Sequence, residues 1–335
     1  MNKKFLFGIL LGVVLIYFSL RGINVNDTLA SLKKIHPGWA ALSLFFIVFM
    51  QALRSYRWGV ILEPMEKISQ GTLFAVTSVG FLAIAAIPAR IGELARPYLI
   101  AQKSAVKMSS ALGTIVVERV LDSLAVLTIT IAVLMAQNDL PRWMVTSGIL
   151  FFLGTLMMIS FVIGLVWRRE TAVSIIDRIL RRLPGALAQK VNPLIHHFID
   201  GFLVITDVKR LLYLLVLSAV VWLVDVAAIY TLLIAFGFDL PALAAFVVMV
   251  ILIAGIAIPT APGFIGNWHY ACILGLSLFG IAKPEALSFA LVYHFLSMMV
   301  VVVLGAVFLP FNKFSLSEMT KQMKKAEDRR PKTEG

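Results

Sequence analysis

Apolar positions in this chain run together in long blocks, without the alternation of a half-buried strand or the single stripe of a surface helix. A hydrocarbon core about 30 Å thick takes roughly 20 helical residues to cross. That ruler marks spans at Phe5 to Leu20, Trp39 to Leu53, Ala111 to Met135, Trp143 to Val166, Leu211 to Phe236 and Leu287 to Leu309. Three stretches are interrupted. Thr72 to Ile87 stops at Pro88 and a charged segment, and the pair Ala242 to Ile258 and Phe264 to Phe279 is split by Pro259, Pro262 and Gly263. The pattern predicts an all-α, polytopic integral membrane bundle of about eight membrane segments, with broken or re-entrant helices among them. Lys3 and Lys4 ahead of Phe5 resemble the start of a secretory signal, but the apolar run is long for one and no A-x-A site follows. It is read as a retained first span.

Composition excludes a water-soluble globule: 60% of residues are apolar and 14% charged, with a mean hydropathy of +0.93. The formal charge of +12, from 30 Lys+Arg against 18 Asp+Glu, points to contact with anionic lipid. It also orients the chain. If Thr72 to Ile87 crossed fully, the basic loop from Arg168 to Arg210 would face outward. If it enters from the cytoplasm and returns, 24 of the 30 basic residues fall in cytoplasmic segments: Lys3/Lys4, Arg54 to Lys67, Arg90 to Lys107, Arg168 to Arg210 and Lys313 to Lys332. Re-entry is therefore expected, in the plasma (inner) membrane with both termini cytoplasmic. The rule is silent on Ala242 to Phe279, where crossing twice and re-entering leave the same parity.

Residues 1–311 read as a single membrane domain and 312–335 as a basic cytoplasmic tail. Within the loop 168–210, Ala172, Ile176, Ile179, Leu180 and Leu183 share one helical face, and Ile195, Phe198, Ile199 and Phe202 repeat the pattern. Such faces suit helices lying in the headgroup layer, or ties between the two halves of the protein. The lone Cys272 excludes a disulfide within the chain and a multi-cysteine metal centre. His196 and Asp200 stand at i, i+4 without a clear third ligand. No metal or cofactor is expected, and nothing suggests nucleic acid.

The two breaks resemble each other. Ile87-Pro88-Ala89-Arg90-Ile91-Gly92-Glu93 and Ile258-Pro259-Thr260-Ala261-Pro262-Gly263-Phe264-Ile265-Gly266-Asn267 share an Ile-Pro stop and an Ile-Gly-polar restart. With one approached from each side, they have the arrangement of an inverted repeat, a pointer to a transport site. A proline near a first helical position costs no hydrogen bond, so each break starts a helix whose free N–H groups favour an anion. Broken backbone at membrane depth must face protein or a wet cavity.

Charges inside the apolar blocks are the other candidates. Glu118, Arg119 and Asp122 lie in the span from Ala111, with Glu118 and Asp122 on one face. An ionised group at a helix centre costs roughly 2.5–3.5 kcal/mol on insertion scales, so these should face the bundle and meet partners. Arg90 and Arg96, or Arg54 and Arg57, are within reach. The cluster reads either as a ligand site or as an ion-pair network locking helices together. Asp225 reads as a partner for a distant basic group or as a packing polar residue. His269 follows the second break by about a turn.

Four motifs in order, Arg54-x-x-Arg57-Trp58, Pro88-Ala89-Arg90-Ile91-Gly92-Glu93-Leu94-x-Arg96, Glu118-Arg119-x-x-Asp122 and Pro262-Gly263-x-x-Gly266, resemble those of the lysylphosphatidylglycerol synthase transmembrane-region family, also described as flippase-like membrane proteins. The resemblance covers nearly the whole chain. It implies kinship with the flipping half of the bacterial multiple peptide resistance factor, which moves aminoacylated phospholipid between leaflets. Only a short tail follows the last span, so a synthase domain and lysyl transfer are not expected. Where the family often has Glu three residues after the last motif glycine, this chain has His269, which weakens the case for a cationic headgroup.

The residues and the resemblance together suggest a lipid transporter or flippase-like protein with no enzymatic activity. The candidate substrate-binding residues are Arg54, Arg57, Arg90, Glu93, Arg96, Glu118, Arg119, Asp122, Pro262, Gly263, Gly266, Asn267 and His269. The expected ligands are membrane lipids, anionic or aminoacylated phospholipids among them. Two other classes remain open: an intramembrane enzyme using Glu118, Asp122 or His269 as acid or base, and a non-transporting partner of envelope-lipid or glycan biosynthesis enzymes.

Overall fold

The computed structural model describes residues 15, 17–21, 25–86, 92–136, 142–167, 185–257 and 262–312. Its helices are α1 (Val25–Lys33), α2 (Pro37–Leu62), α3 (Gln70–Ala86), α4 (Ala95–Lys103), α5 (Met108–Ala136), α6 (Arg142–Trp167), α7 (Gly185–Asp200), α8 (Val208–Ala235), α9 (Ala242–Ala257), α10 (Asn267–Ser277) and α11 (Lys283–Phe308). The chain is an all-helical, multi-pass membrane protein. Helices α2, α5, α6, α8 and α11 each contain a stretch long and apolar enough to cross a bilayer. They correspond to five of the six uninterrupted blocks, and α2 runs nine residues past the expected Leu53. The first block, Phe5 to Leu20, falls mostly outside the described residues, as do the stretch Ala172 to Leu183 and the tail.

Local chemistry sets several helix starts. Prolines stand in the first turns of α2 and α11, where a missing N–H leaves no bond unmade. Asp207 caps α8 by accepting from the Lys209 and Arg210 amides at 3.0 and 3.2 Å.

The frame of the bundle is an antiparallel pair, α2 against α8, tied along its length. At one end the His36 amide donates to the Ala235 carbonyl at 2.8 Å. Further along, Ser43 donates to the Ala228 carbonyl at 2.8 Å and Arg57 to Ser218 Oγ at 2.9 Å. At the other end Arg210 stands 3.5 Å from Glu63. These contacts fix the two membrane faces.

Against that frame both broken pairs are re-entrant. Helix α3 has 17 residues and α4 nine, about 26 and 14 Å, and the Ala105 amide after α4 donates to Glu66 before α3 at 2.7 Å. The chain therefore returns to the face it left, as charge distribution alone suggested. For α9 and α10 the sequence rule was silent, and length bears on it: 16 and 11 residues, about 24 and 17 Å, fall short of a core about 30 Å thick. Phe236 and Phe238, ahead of α9, pack their rings 5.6 and 6.4 Å from Phe289 in the second turn of α11, so this hairpin begins and ends on the opposite face. Helix α3 also packs against α11 and against the turn Pro262–Phe264 between α9 and α10, which brings the second hairpin's tip against the first hairpin. Segments 87–91 and 258–261, which hold the Ile-Pro stops, lie outside the described residues.

The apolar face after Ile195 packs inward: Ile199 and Phe202 are buried with Val117, Val120 and Leu121 of α5 and Leu214 of α8.

Re-entry of the first hairpin makes a direct prediction. In protein reconstituted in sealed vesicles, Lys67→Cys and Ala105→Cys should react with an impermeant maleimide from the same face, and Asp239→Cys from the other. Labelling of Lys67→Cys and Ala105→Cys from opposite faces would replace the hairpin with a full crossing.

Candidate functional site

Four helices converge on one buried ion cluster. Arg57 of α2 has a fully buried side chain. Its Nη1 donates to Asp122 Oδ1 at 2.6 Å and to Ser218 Oγ at 2.9 Å, and its Nη2 donates to Glu118 Oε1 at 3.2 Å. Glu118 and Asp122 stand one turn apart on α5, so a single guanidinium spans both. Arg96 of α4, also buried, places Nη1 3.0 Å from Glu118 Oε2. That approach is a charge contact without hydrogen-bond alignment, because Oε2 has no hydrogen-bond donor.

Aromatic rings close the cluster. The Arg96 guanidinium lies 4.2 Å from the Trp58 ring centroid, a cation–π distance. Trp58 is itself held by its Nε1, which donates to Thr114 Oγ1 at 3.1 Å. Trp222 of α8 donates to Asp122 Oδ1 at 3.1 Å, and Arg54 lies 5.6 Å from both the Trp222 and Phe81 rings. The stem of Arg96 runs across Gly80 of α3, where any Cβ would collide with the Arg96 Cγ. Glycine is required there for space.

The cluster lies some two turns inside the Glu63–Arg210 pair, about 9–12 Å along α2 and α8, within hydrocarbon depth. Counting Arg57 and Arg96 among cytoplasmic loop charges therefore has to be corrected: both are interior. Arg119, at 42% exposure, is the outer member and sits 3.9 Å from Asp122 Oδ2. Glu93, half-buried in the turn before α4, interacts electrostatically with Arg119. Arg90 lies outside the described residues.

The second break builds a separate group. Gly263 and Gly266 adopt φ of 69° and 99°, backbone open to glycine at little cost. Asn267 Nδ2 donates to the Gly255 carbonyl at 2.9 Å, tying α10 to α9. The Gly266 amide donates to His269 Nδ1 at 3.5 Å, and His294 Nε2 donates to the Gly263 carbonyl at 2.8 Å. The two imidazoles meet edge to face at 4.8 Å. Tyr293 donates to Asp225 Oδ1 at 3.1 Å, tying α8 to α11, and Asp225 also interacts electrostatically with Arg54. Pro262 lies in the turn that α3 meets.

The sequence-derived residues thus form two groups linked by α8. Ser218 and Trp222 face the arginines, and Asp225, one turn on, faces Tyr293. Sequence reasoning missed Ser218, Trp222 and Tyr293. The spacing of Ser218, Trp222 and Asp225 along one face of α8 was a signal that could have found the first two.

Because Glu118 lies between two buried guanidiniums, Glu118→Gln should lower stability by about 3–5 kcal/mol, the cost of leaving a buried charge unpaired. Arg119→Gln, at the exposed edge, should cost under about 1 kcal/mol. Unfolding midpoints in detergent compare the two; equal midpoints for both variants would show that the interior pairs are not structural.

A family model described as the lysylphosphatidylglycerol synthase TM region matches residues 5–305. The chain is also similar to a UPF0104 membrane protein of Methanothermobacter thermautotrophicus, 25% identical over 329 residues, covering 92% of this chain and 96% of the relative. A UPF0104 membrane protein of Methanocaldococcus jannaschii is 25% identical over 228 residues, covering 66% of this chain and 90% of that protein. All four sequence motifs fall inside the matched range.

Proposed function

The chain belongs to the lysylphosphatidylglycerol synthase transmembrane-region family, and on that footing we propose that it moves a phospholipid or lipid-linked headgroup between the leaflets of the plasma membrane, with both termini cytoplasmic. The observation that supports this most is a charged cluster buried at hydrocarbon depth beside two hairpins that enter from opposite faces. A headgroup crossing the bilayer needs polar partners where lipid offers none, while its tails stay in the hydrocarbon. Arg57, Glu118 and Asp122 frame the path, and Arg54, Arg96 and Arg119 are the surfaces a headgroup meets. Acid–base chemistry on a lipid-linked substrate has less support, because Glu118 and Asp122 are both engaged by guanidinium groups rather than free to exchange a proton.

Reconstitution tests the proposal. Vesicles holding fluorescent phospholipids should show leaflet exchange, read by dithionite quenching, well above protein-free vesicles. Arg96→Ala should lower that excess by about tenfold, the loss of one charge-assisted contact. Exchange no faster than in protein-free vesicles across zwitterionic, anionic and aminoacylated lipids would overturn it.

A further inference from the structure

Of the two fully buried arginines, Arg96 has the less complete hydrogen bonding. Its side chain is 1% exposed. One nitrogen, Nη1, faces Glu118, the ring face lies on Trp58, and the stem crosses Gly80. What is left is Nε and Nη2, both buried and without a hydrogen-bond partner among the described residues. Those two N–H groups form the side edge of the guanidinium and point in parallel, the fork that matches two oxygens of one phosphate or carboxylate. Leaving such donors unmet in a buried site is unfavourable, the more so when the group is charged. The surrounding packing buries the edge without supplying an acceptor among the described residues.

Neighbouring groups are incomplete in the same sense. Ser55 Oγ, Thr77 Oγ1 and Ser78 Oγ are buried and without partners among the described residues. Ser55 stands one turn before Trp58 on α2, and Thr77 one turn before Gly80 on α3, so the hydroxyls belong to the helices that clamp Arg96. Each offers a donor to an anion's remaining oxygens.

The carboxylates show the opposite condition. Glu118 meets Arg57 through one oxygen and Arg96 through the other. Asp122 holds Arg57, Trp222 and the edge of Arg119, and Glu93 interacts with Arg119. Glu118 and Asp122 are thus both engaged by guanidiniums.

We infer that the side edge of Arg96 is the docking point for the phosphate of an anionic lipid headgroup that carries no amine, with Ser55 and Thr77 on the neighbouring helices holding unpartnered hydroxyls. The inference deepens the translocation reading and rests on it for the lipid source of the phosphate. An amine-bearing headgroup such as an aminoacylated phosphatidylglycerol would bring an ammonium group to a site whose buried carboxylates already face guanidiniums.

Binding, measured apart from transport, tests it. Purified full-length protein in detergent is titrated with dioctanoyl phosphatidylglycerol, dioctanoyl lysylphosphatidylglycerol and inorganic phosphate, with native mass spectrometry and calorimetry as readouts. Phosphatidylglycerol should bind at least about tenfold more tightly than its lysyl ester, a comparison that needs no variant. Arg96→Lys keeps the charge and loses the fork, and should weaken phosphatidylglycerol binding by about ten- to a hundredfold, the worth of a charged hydrogen bond. Arg142→Lys, at the far end of α6, should leave it unchanged. Tighter binding of the lysyl ester, or equal binding of phosphatidylglycerol by native and folded Arg96→Lys protein, overturns the inference. Phosphate binding without lipid binding would keep the oxyanion site and remove the lipid. Binding as expected with no leaflet exchange would remove translocation and keep the site.

Discussion

The structure turns on one guanidinium. Arg57, buried between Glu118 and Asp122, draws α2 onto α5 and, through Ser218, onto α8. A buried charge is tolerated only with partners in place, so its geometry constrains three helices at once. Apolar packing alone gives membrane helices little reason to choose one register over another, because lipid tails are as apolar as the side chains they would replace. The ion pairs and the antiparallel ties between α2 and α8 supply that choice.

Arg96 differs from Arg57 in what surrounds it. Arg57 has acceptors for both terminal nitrogens and lacks one only for Nε. Arg96 has a charge contact on one nitrogen, a ring on its face and a buried edge without a hydrogen-bond partner among the described residues. Two arginines on one carboxylate thus differ: one is hydrogen-bonded to two helices, and the other keeps two nitrogens without partners among the described residues. The difference also says why an ion-pair network and a ligand site, which the sequence left as alternatives, are compatible here.

Two hairpins enter the bundle from opposite faces, and the tip of the second packs against α3 of the first. The first carries Arg96 and its platform, Gly80. The second carries two histidines, glycines at positive φ and an asparagine that ties its arms together. Helix α8 touches both groups through Ser218, Trp222 and Asp225, which gives any movement of one hairpin a packed route to the other.

The amino-acid sequence by itself determined the solvent, the helical class, five apolar segments long enough to cross, the re-entry of the first broken pair and the family, because long apolar blocks, the placement of lysine and arginine, and short motifs are all local records. It also singled out Arg57, Arg96, Glu118 and Asp122, since a charge in an apolar block is conspicuous wherever it folds. Only the tertiary structure decided which arginine meets which acid, that Arg57 and Arg96 are interior, and that α9 and α10 re-enter. Those depend on contacts between residues far apart in the chain, such as Arg57 with Ser218 or Phe238 with Phe289. Spacing along one helix carries no information about distance across a bundle, and a rule that counts charges by parity cannot tell two short crossings from a hairpin.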